Sequence, residues 1–248
     1  MNPVLRENFE VLFEEGNVLT VYFYLLVFLA PAAFGALWTQ SLGEQMWRGS
    51  AMLLEICASA ALALIVYFAL RLANHEYASR RFKPLEEWLR GGPRALRVVA
   101  RGRVAALLAH LSCLLLLSTP ILVWAAAISH TPLFVLAAAL ALIFFYGFCY
   151  GVWGLAASVL WERERETRQF AIRCFTLVVV VAALAVYLPL DPVVYLLAVL
   201  GREEPAPFRV AGVSASAHVL HFAFHLALAG SGLVAHRWAL KRVTLGHR

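Results

Sequence analysis

Long runs of apolar residues alternate with short polar segments along this chain, a pattern typical of multi-pass membrane proteins. A helix needs about 20 mostly apolar residues to cross the hydrocarbon core of a bilayer, which is roughly 30 Å thick. Six runs have about that length, and we predict that each forms a transmembrane helix. Their approximate bounds are residues 18–38, 50–72, 104–128, 132–160, 172–188 and 213–235.

A seventh apolar run, residues 192–200, has only about half the length that a span requires. Pro189, Pro192 and Gly201 flank it, and residues of these types interrupt regular helices. We therefore predict that residues 189–212 form a re-entrant or interfacial segment between the fifth and sixth spans.

The first residues of the chain, 1–17, have an amphipathic helical pattern. Leu5, Phe9, Leu12 and Phe13 share one face, and glutamates occupy the others. The pattern predicts a short helix lying along the inner surface of the membrane. Its acidic face is open to two interpretations, because it can contact basic protein or belong to a simple anchor.

Composition places the whole chain in one membrane domain, residues 1–248. Hydrophobic residues make up 62% of the sequence and charged residues 15%, whereas soluble domains carry about 25% charge. No polar segment is long enough to fold as a separate soluble unit. The expected fold class is an all-α integral membrane protein with six transmembrane helices.

Lysine and arginine are concentrated in three segments, residues 71–103, 163–173 and 237–248. The opposite side of the predicted topology carries only three of them: Arg48, Arg202 and Arg209. Because cytoplasmic loops carry the excess of positive charge, both termini are predicted to be cytoplasmic and residues 189–212 extracellular. The net charge of +6 arises from this asymmetry and indicates contact with lipid head groups, not with nucleic acid.

Two internal cytoplasmic segments combine helical patterns with dense charge. In residues 73–103, a short helix is predicted to start after Pro84, and a glycine–proline break separates it from a basic helix, residues 94–103. Residues 161–173 are predicted to extend the fourth span into the cytoplasm. In that extension Glu162 would pair with Arg165 along the helix.

Sequence motifs for chemistry are missing from the chain. It has no GxxxxGK[ST] loop, no GxSxG, no HExxH and no CxxC, and its four cysteines are isolated. We therefore expect no catalytic residue, no metal ligand and no cofactor site in this chain. If the protein uses ATP, another chain must bind it.

The most distinctive polar residues inside the predicted spans are histidines. His218, His221 and His225 lie on the sixth span, and Glu55 lies on the second. Ionisable residues within spans usually face the bundle interior and often mark substrate pathways. These four residues are candidates for a translocation path. Haem or metal binding is the alternative, for which His130 has a suitable depth to supply a second ligand.

Several short motifs resemble the permease subunits of ABC transporters of the ABC-2 export class. The opening Asn2-Pro3-Val4-Leu5-Arg6-Glu7 is similar to the start of that family, and the proline-flanked run 189–201 is similar to its extracellular element. The run from Leu114 to Ser118-Thr119-Pro120 resembles its third helix. In place of the family's Glu-x-x-x-Gly-Thr, however, this chain has Glu76-Tyr77-Ala78-Ser79-Arg80.

The resemblance implies an export permease in a bacterial-type inner membrane. Two permease copies would pair, as a homodimer or related heterodimer, and two ABC ATPase subunits carrying ATP and magnesium would dock beneath them. Residues 1–17 would be the elbow helix and residues 73–103 the coupling loop. The residues expected to contact the ATPase are Glu76, Glu86, Glu87, Trp88, Leu89, Arg94, Arg97, Glu162, Arg163 and Arg165.

Two other classes of protein remain open. The histidines are compatible with a haem-bearing membrane anchor of an oxidoreductase. An intramembrane enzyme, such as a lipid-modifying transferase, would need polar residues clustered at one depth, and the histidines are the only such cluster that the sequence suggests.

Overall fold

A computed structural model describes residues 2–11, 17–41, 46–76, 83–90, 92–210 and 213–245. These residues form nine α-helices, a 3₁₀ turn and one short hairpin. The helices are α1 Pro3–Phe9, α2 Asn17–Ser41, α3 Met46–Ala73, α4 Leu85–Leu89, α5 Gly92–Ile128, α6 Leu133–Leu160, α7 Arg165–Val186, α8 Pro192–Gly201 and α9 Ala217–Leu245.

Five of these helices, α3, α5, α6, α7 and α9, are long and apolar enough to cross a membrane. Helix α2 has 25 residues, but within the described residues its apolar stretch, Leu19–Phe34, is shorter than the five others and is not counted as a span. The prediction of an all-α, multi-pass membrane protein is therefore confirmed.

Helices α3 and α6 form the centre of the bundle. Helix α3 packs against α2, α5 and α6, and α9 lies on the other side of α6. Leu62 and Ile65 of α3 meet the fully buried Tyr146 of α6 in one apolar core. The two helices approach most closely at Gly154, where an added Cβ atom would lie 2.5 Å from the carbonyl oxygen of Leu70. This contact requires glycine because a backbone atom occupies the space.

The N-terminal helix α1 forms within the segment where a helix was predicted but covers only Pro3–Phe9, and residues 12–16 of that prediction lie outside the described residues. The Asn2 side chain caps it by accepting a hydrogen bond from the Val4 N–H, and Pro3 occupies the first turn. The Asn2 amide also donates to the Val98 carbonyl oxygen at 2.8 Å. Helix α1 therefore lies against α5, close to Gly102.

The predicted basic helix, residues 94–103, and the predicted third span, residues 104–128, form one continuous helix. Helix α5 continues for 37 residues from Gly92 to Ile128, because its basic first part contains no proline after Pro93. The predicted continuation of α6 through residues 161–173 is wrong. Helix α6 ends at Leu160, and the chain turns before α7 begins at Arg165.

The segment after α7 folds into a compact unit. A 3₁₀ turn, Leu188–Leu190, leads into α8, whose first N–H groups donate to the carboxylate of Asp191. Strands β1 Phe208–Val210 and β2 Val213–Ala215 then pair antiparallel. The predicted interruption of the spans is thus a short helix followed by a hairpin.

Candidate functional site

A cluster of aromatic and imidazole rings joins α6, α8 and α9 inside the bundle. We call it the histidine–tyrosine cluster, and it contains Tyr146, Tyr195, His218, His221 and His225. The predicted shared face of α9 is present, since His221 and His225 are both 0% exposed and their ring centres lie 4.4 Å apart. His218, one turn earlier, is exposed and lies at the edge of the cluster.

Hydrogen bonding assigns the tautomer of His221. Its Nδ1 lies 2.6 Å from the Pro189 carbonyl oxygen, which can only accept, so Nδ1 carries the proton. Its Nε2 is then an acceptor and receives the Tyr146 hydroxyl at 2.6 Å. A neutral imidazole therefore links α6 to the turn that precedes α8.

The other members of the cluster pack around His221. The Tyr195 ring stacks on the imidazole with centres 3.8 Å apart, and its hydroxyl lies 2.7 Å from the Nδ1 of His218. The Nδ1 of His225 lies 3.0 Å from the His221 carbonyl oxygen and so carries a proton. Its buried Nε2 has no hydrogen-bond partner among the described residues.

In the histidine–tyrosine cluster, neutral side chains donate hydrogen bonds to one another and to backbone carbonyl oxygens. Within the described part of the chain, no group of three or more His, Cys, Asp and Glu side chains is arranged to hold a metal ion. Of the two buried histidines in this cluster, His221 uses both ring nitrogens in hydrogen bonds, whereas the Nε2 of His225 keeps a free lone pair among the described residues.

Glu55, the fourth candidate for a translocation path, lies on α3 near the hairpin end of the bundle. It lines a cavity of about 440 Å³ together with Glu203, Glu204 and Tyr195. Tyr195 therefore separates this acidic cavity from the buried histidines. Glu55 and His218 are accessible at the surface of this chain, whereas His221 and His225 are enclosed by it.

At the other end of the bundle, the structure brings the two predicted ATPase-contacting segments together. The Glu162 carboxylate accepts from the Leu85 N–H at 3.0 Å, and Arg163 pairs with Glu86 at 2.9 Å. Arg165 donates to the Glu76 carbonyl oxygen at 3.1 Å. We call α4 together with residues 161–165 the α4 platform.

The apolar residues of α4 face inward. Leu89 is 4% exposed and packs with Val99 of α5 and Leu240 of α9. Leu89 is therefore a core residue of the platform within this chain, and its contact with a partner stays a prediction.

Trp88 is half-buried, and its indole N–H donates to the Glu7 carboxylate at 2.9 Å. The other oxygen of Glu7 accepts from the Lys83 N–H at 2.7 Å. Glu7 thus ties α1 to the platform, a role that the sequence indicated only through the acidic face of the first helix.

Charged side chains cover the outer surface of the platform and the start of α5. Glu76 is half-buried and pairs with Arg71. The remaining predicted contact residues with exposed side chains are Glu87, Arg94, Arg97, Arg163 and Arg165.

Directly above the platform, three basic side chains surround the C-terminal end of α6. Arg103 donates to the Ser158 hydroxyl at 3.1 Å, and the His236 ring lies 3.2 Å from the Leu155 carbonyl oxygen. Arg168 donates to the carbonyl oxygens of Trp161 and Glu162. Since helix C-termini carry partial negative charge, the guanidinium cations of Arg103 and Arg168 stabilise this end. We call Arg103, Arg168, His236 and Ser158 the basic cap.

Sequence reasoning missed the basic cap, although its residues are polar positions within or beside apolar runs. Arg103, Arg168 and His236 are all buried, and they come from three different helices, so their convergence depends on the packing. His75 follows α3 in a left-handed backbone conformation, with φ of 55°. Burial, with the charges of Arg103 and Arg168, holds the pKa of His75 well below its usual range. His75 is therefore neutral at pH 7 and adds no further positive charge.

No protein-family model matches this sequence, and no curated protein or solved structure matches it significantly.

Proposed function

We propose that this chain is the transmembrane subunit of an ATP-driven exporter of the ABC-2 class. In this proposal α2 joins the five long apolar helices to give six spans, with both termini in the cytoplasm of a bacterial-type inner membrane. Helix α1 is the elbow helix, and residues 189–212 lie on the extracellular side. The chain has no catalytic role, and separate ABC ATPase subunits bind ATP and magnesium.

The α4 platform is the observation that carries this proposal. Two segments about 77 residues apart in sequence meet there through a backbone-to-carboxylate hydrogen bond and an ion pair. A loop that serves only to connect spans does not need such long-range contacts. Residues held in this way form a defined surface on which a partner can act.

The platform is also connected to the spans that would have to move. Leu85 and Leu89 pack on α5 and α9, and the 161–164 turn follows α6 directly. The basic cap joins the end of α6 to α5 and α9, and joins that turn to α7. A displacement of the platform by a partner would therefore reach four helices.

Surface charge on the platform suits recognition of a protein partner. Exposed charges at an interface mainly set the association rate and the register, and charge reversal there weakens binding in a salt-dependent way. Glu87 on the platform and Arg97 on the adjoining start of α5 are exposed, and neither forms an ion pair among the described residues. They are the best positions for a test because their replacement leaves the interior unchanged.

The test is copurification of an ATPase with the tagged chain, combined with measurement of ATP hydrolysis by the complex. We expect the double reversal Glu87→Lys, Arg97→Glu to reduce the recovered ATPase about tenfold at low salt, and less at high salt. Glu203→Lys, an exposed reversal at the opposite end, is the matched control and should have no effect. Wild-type recovery and hydrolysis in the double variant would contradict the proposal.

Trp88 needs a separate control, because its indole is occupied within this chain. Trp88→Phe removes only the donor to Glu7 and keeps the ring. We expect Trp88→Ala to reduce ATPase recovery through displacement of α1, and Trp88→Phe to retain most of it.

The homodimer or related heterodimer, and the translocation path with Glu55 and His218 at its surface, remain predictions of this proposal. A haem-bearing anchor remains the alternative, with the Nε2 of His225 as its available ligand atom. A Soret absorbance from the purified protein, lost in His225→Ala, would favour that alternative over the exporter.

A further inference from the structure

Helix α7 leaves a cleft beside the bundle. It packs along α6, and only a small part of its surface is buried, so that Leu177, Val181 and Leu184 remain exposed. Between α7, α3 and α8 lies a cavity of about 540 Å³. This volume is within the range of about 300–1,000 Å³ that is typical of small-molecule sites.

The walls of the cleft are apolar along most of its length. Leu62, Val66 and Leu70 of α3 face Ile172, Thr176 and Val180 of α7. Ala63, Tyr67 and Leu177 on its rim are exposed, so the cleft opens sideways toward the hydrocarbon region. A molecule can therefore enter it from the bilayer without crossing an aqueous phase.

The length of the cleft matches one leaflet. On α7 its lining extends from Gln169 to Val180, which corresponds to about 16 Å at the rise of an α-helix. The hydrocarbon core is roughly 30 Å thick, so one leaflet supplies about half of it. An acyl chain from a single leaflet would fill the apolar part of the cleft.

One end of the cleft carries positive charge. Arg71 and Arg173 line that end with Glu76, and the Glu76 carboxylate pairs with Arg71. Arg173 is exposed and has no carboxylate within 4.0 Å among the described residues. The end therefore has a net positive charge at the level where the head groups of that leaflet lie.

We infer that this cleft binds one anionic phospholipid, with an acyl chain between α3 and α7 and the phosphate at Arg173 and Arg71. The lipid comes from the leaflet on the arginine side, which the charge distribution of the chain makes the cytoplasmic leaflet. Apolar burial of the chain supplies most of the affinity, and the arginines supply the preference for a negative head group.

The inner wall of the cleft adjoins the histidine–tyrosine cluster. Tyr150 lines the cleft, and its ring centre lies 6.2 Å from that of His225. Asp191, which caps α8, lines the far end of the same cleft. The bound chain would therefore contact the elements that hold the buried histidines, and lipid binding would stabilise them.

The test uses the purified full-length chain in detergent with dioleoyl phosphatidylglycerol or dioleoyl phosphatidylcholine, and native mass spectrometry to count the retained lipids. We expect one retained phosphatidylglycerol and weaker retention of phosphatidylcholine. Arg173→Gln should lower the retention of phosphatidylglycerol about fivefold, and Arg173→Lys should restore most of it. Arg237→Gln, an exposed arginine on α9, is the matched charge control.

A second variant tests the apolar part of the cleft. Ala63→Trp fills the rim and should lower retention of both lipids, whereas Ala141→Trp, at an exposed position of α6, should not. Equal retention of phosphatidylglycerol by wild type, Arg173→Gln and Ala63→Trp would overturn the inference. Displacement of the lipid by excess inorganic phosphate would also overturn it, because a free anion would then suffice. None of these measurements requires an ATPase, so this inference and the proposed function can fail separately.

Discussion

The histidine–tyrosine cluster and the basic cap both place polar groups inside a bundle of apolar helices, but they use different chemistry. In the cluster, neutral rings exchange hydrogen bonds with one another and with the Pro189 carbonyl oxygen. In the cap, guanidinium groups meet the carbonyl and hydroxyl oxygens at the end of α6. Burying a charge is far more costly than burying a hydrogen-bonded neutral group.

The two regions use different chemistry because they lie at different positions along α6. Tyr146 lies in the middle of the helix, where backbone carbonyls are already hydrogen-bonded, so the polar contacts there must come from side chains. At Leu160 the helix ends and its last carbonyls lack partners within the helix, which makes cations favourable there. Helix α6 carries both arrangements because it passes from the interior of the bundle to its charged end.

The largest loss of stability is expected from a substitution at Gly154, where α6 meets α3 between the two regions. In Gly154→Ala the new Cβ would lie 2.5 Å from the Leu70 carbonyl oxygen, so the helices must separate. We expect a loss of about 3 kcal/mol in the free energy of unfolding in mixed micelles. Gly230→Ala is the matched control, since an added Cβ there meets nothing within 4 Å. Equal stability of the two variants would show that α3 and α6 are not in close contact.

A smaller loss is expected when the neutral cluster is broken. Tyr146→Phe removes the hydroxyl donor and leaves the Nε2 of His221 buried without a partner, which costs about 2 kcal/mol. Tyr24→Phe, at an exposed position of α2, should change stability little. In a double-mutant cycle, Tyr146→Phe should cost much less once His221 is replaced by Phe. Additive losses would mean that the hydrogen bond does not contribute.

The smallest loss is expected in the basic cap. Arg168→Gln removes two long charge-assisted contacts, at 3.4 and 3.3 Å, to the end of α6 and should cost about 1 kcal/mol. Arg237→Gln provides the exposed control. If Arg168→Gln proved more destabilising than Tyr146→Phe, charge and not the neutral network would be the dominant polar contribution to the bundle.

The sequence predicted the elements of the fold that depend on local pattern. Apolar length identified the long helices α3, α5, α6, α7 and α9, and helical periodicity indicated α1. The spacing of His221 and His225 correctly predicted that they share a face. These features are determined by the periodicity of a single helix.

Features that depend on contacts between distant residues were not predictable. The partner of Trp88 is Glu7, 81 residues away, and no local pattern connects them. The end of α6 was missed because the charged run after Trp161 is a good helical sequence on its own. The structure ends the helix at Leu160, and Arg168 turns back onto the carbonyl oxygens of the turn. Tertiary packing overrides local propensity there.

Because α5 is unbroken, it can transmit a displacement from one end of the bundle to the other. Its 37 residues correspond to about 55 Å, well beyond the roughly 30 Å of the hydrocarbon core. One end carries α1 and lies beside α4, and the other runs past Pro120 toward the hairpin side. Because a continuous helix is stiff, a lateral displacement near Val98 would tilt the whole of α5. Pro120 lacks an N–H, so any bend in α5 would occur there.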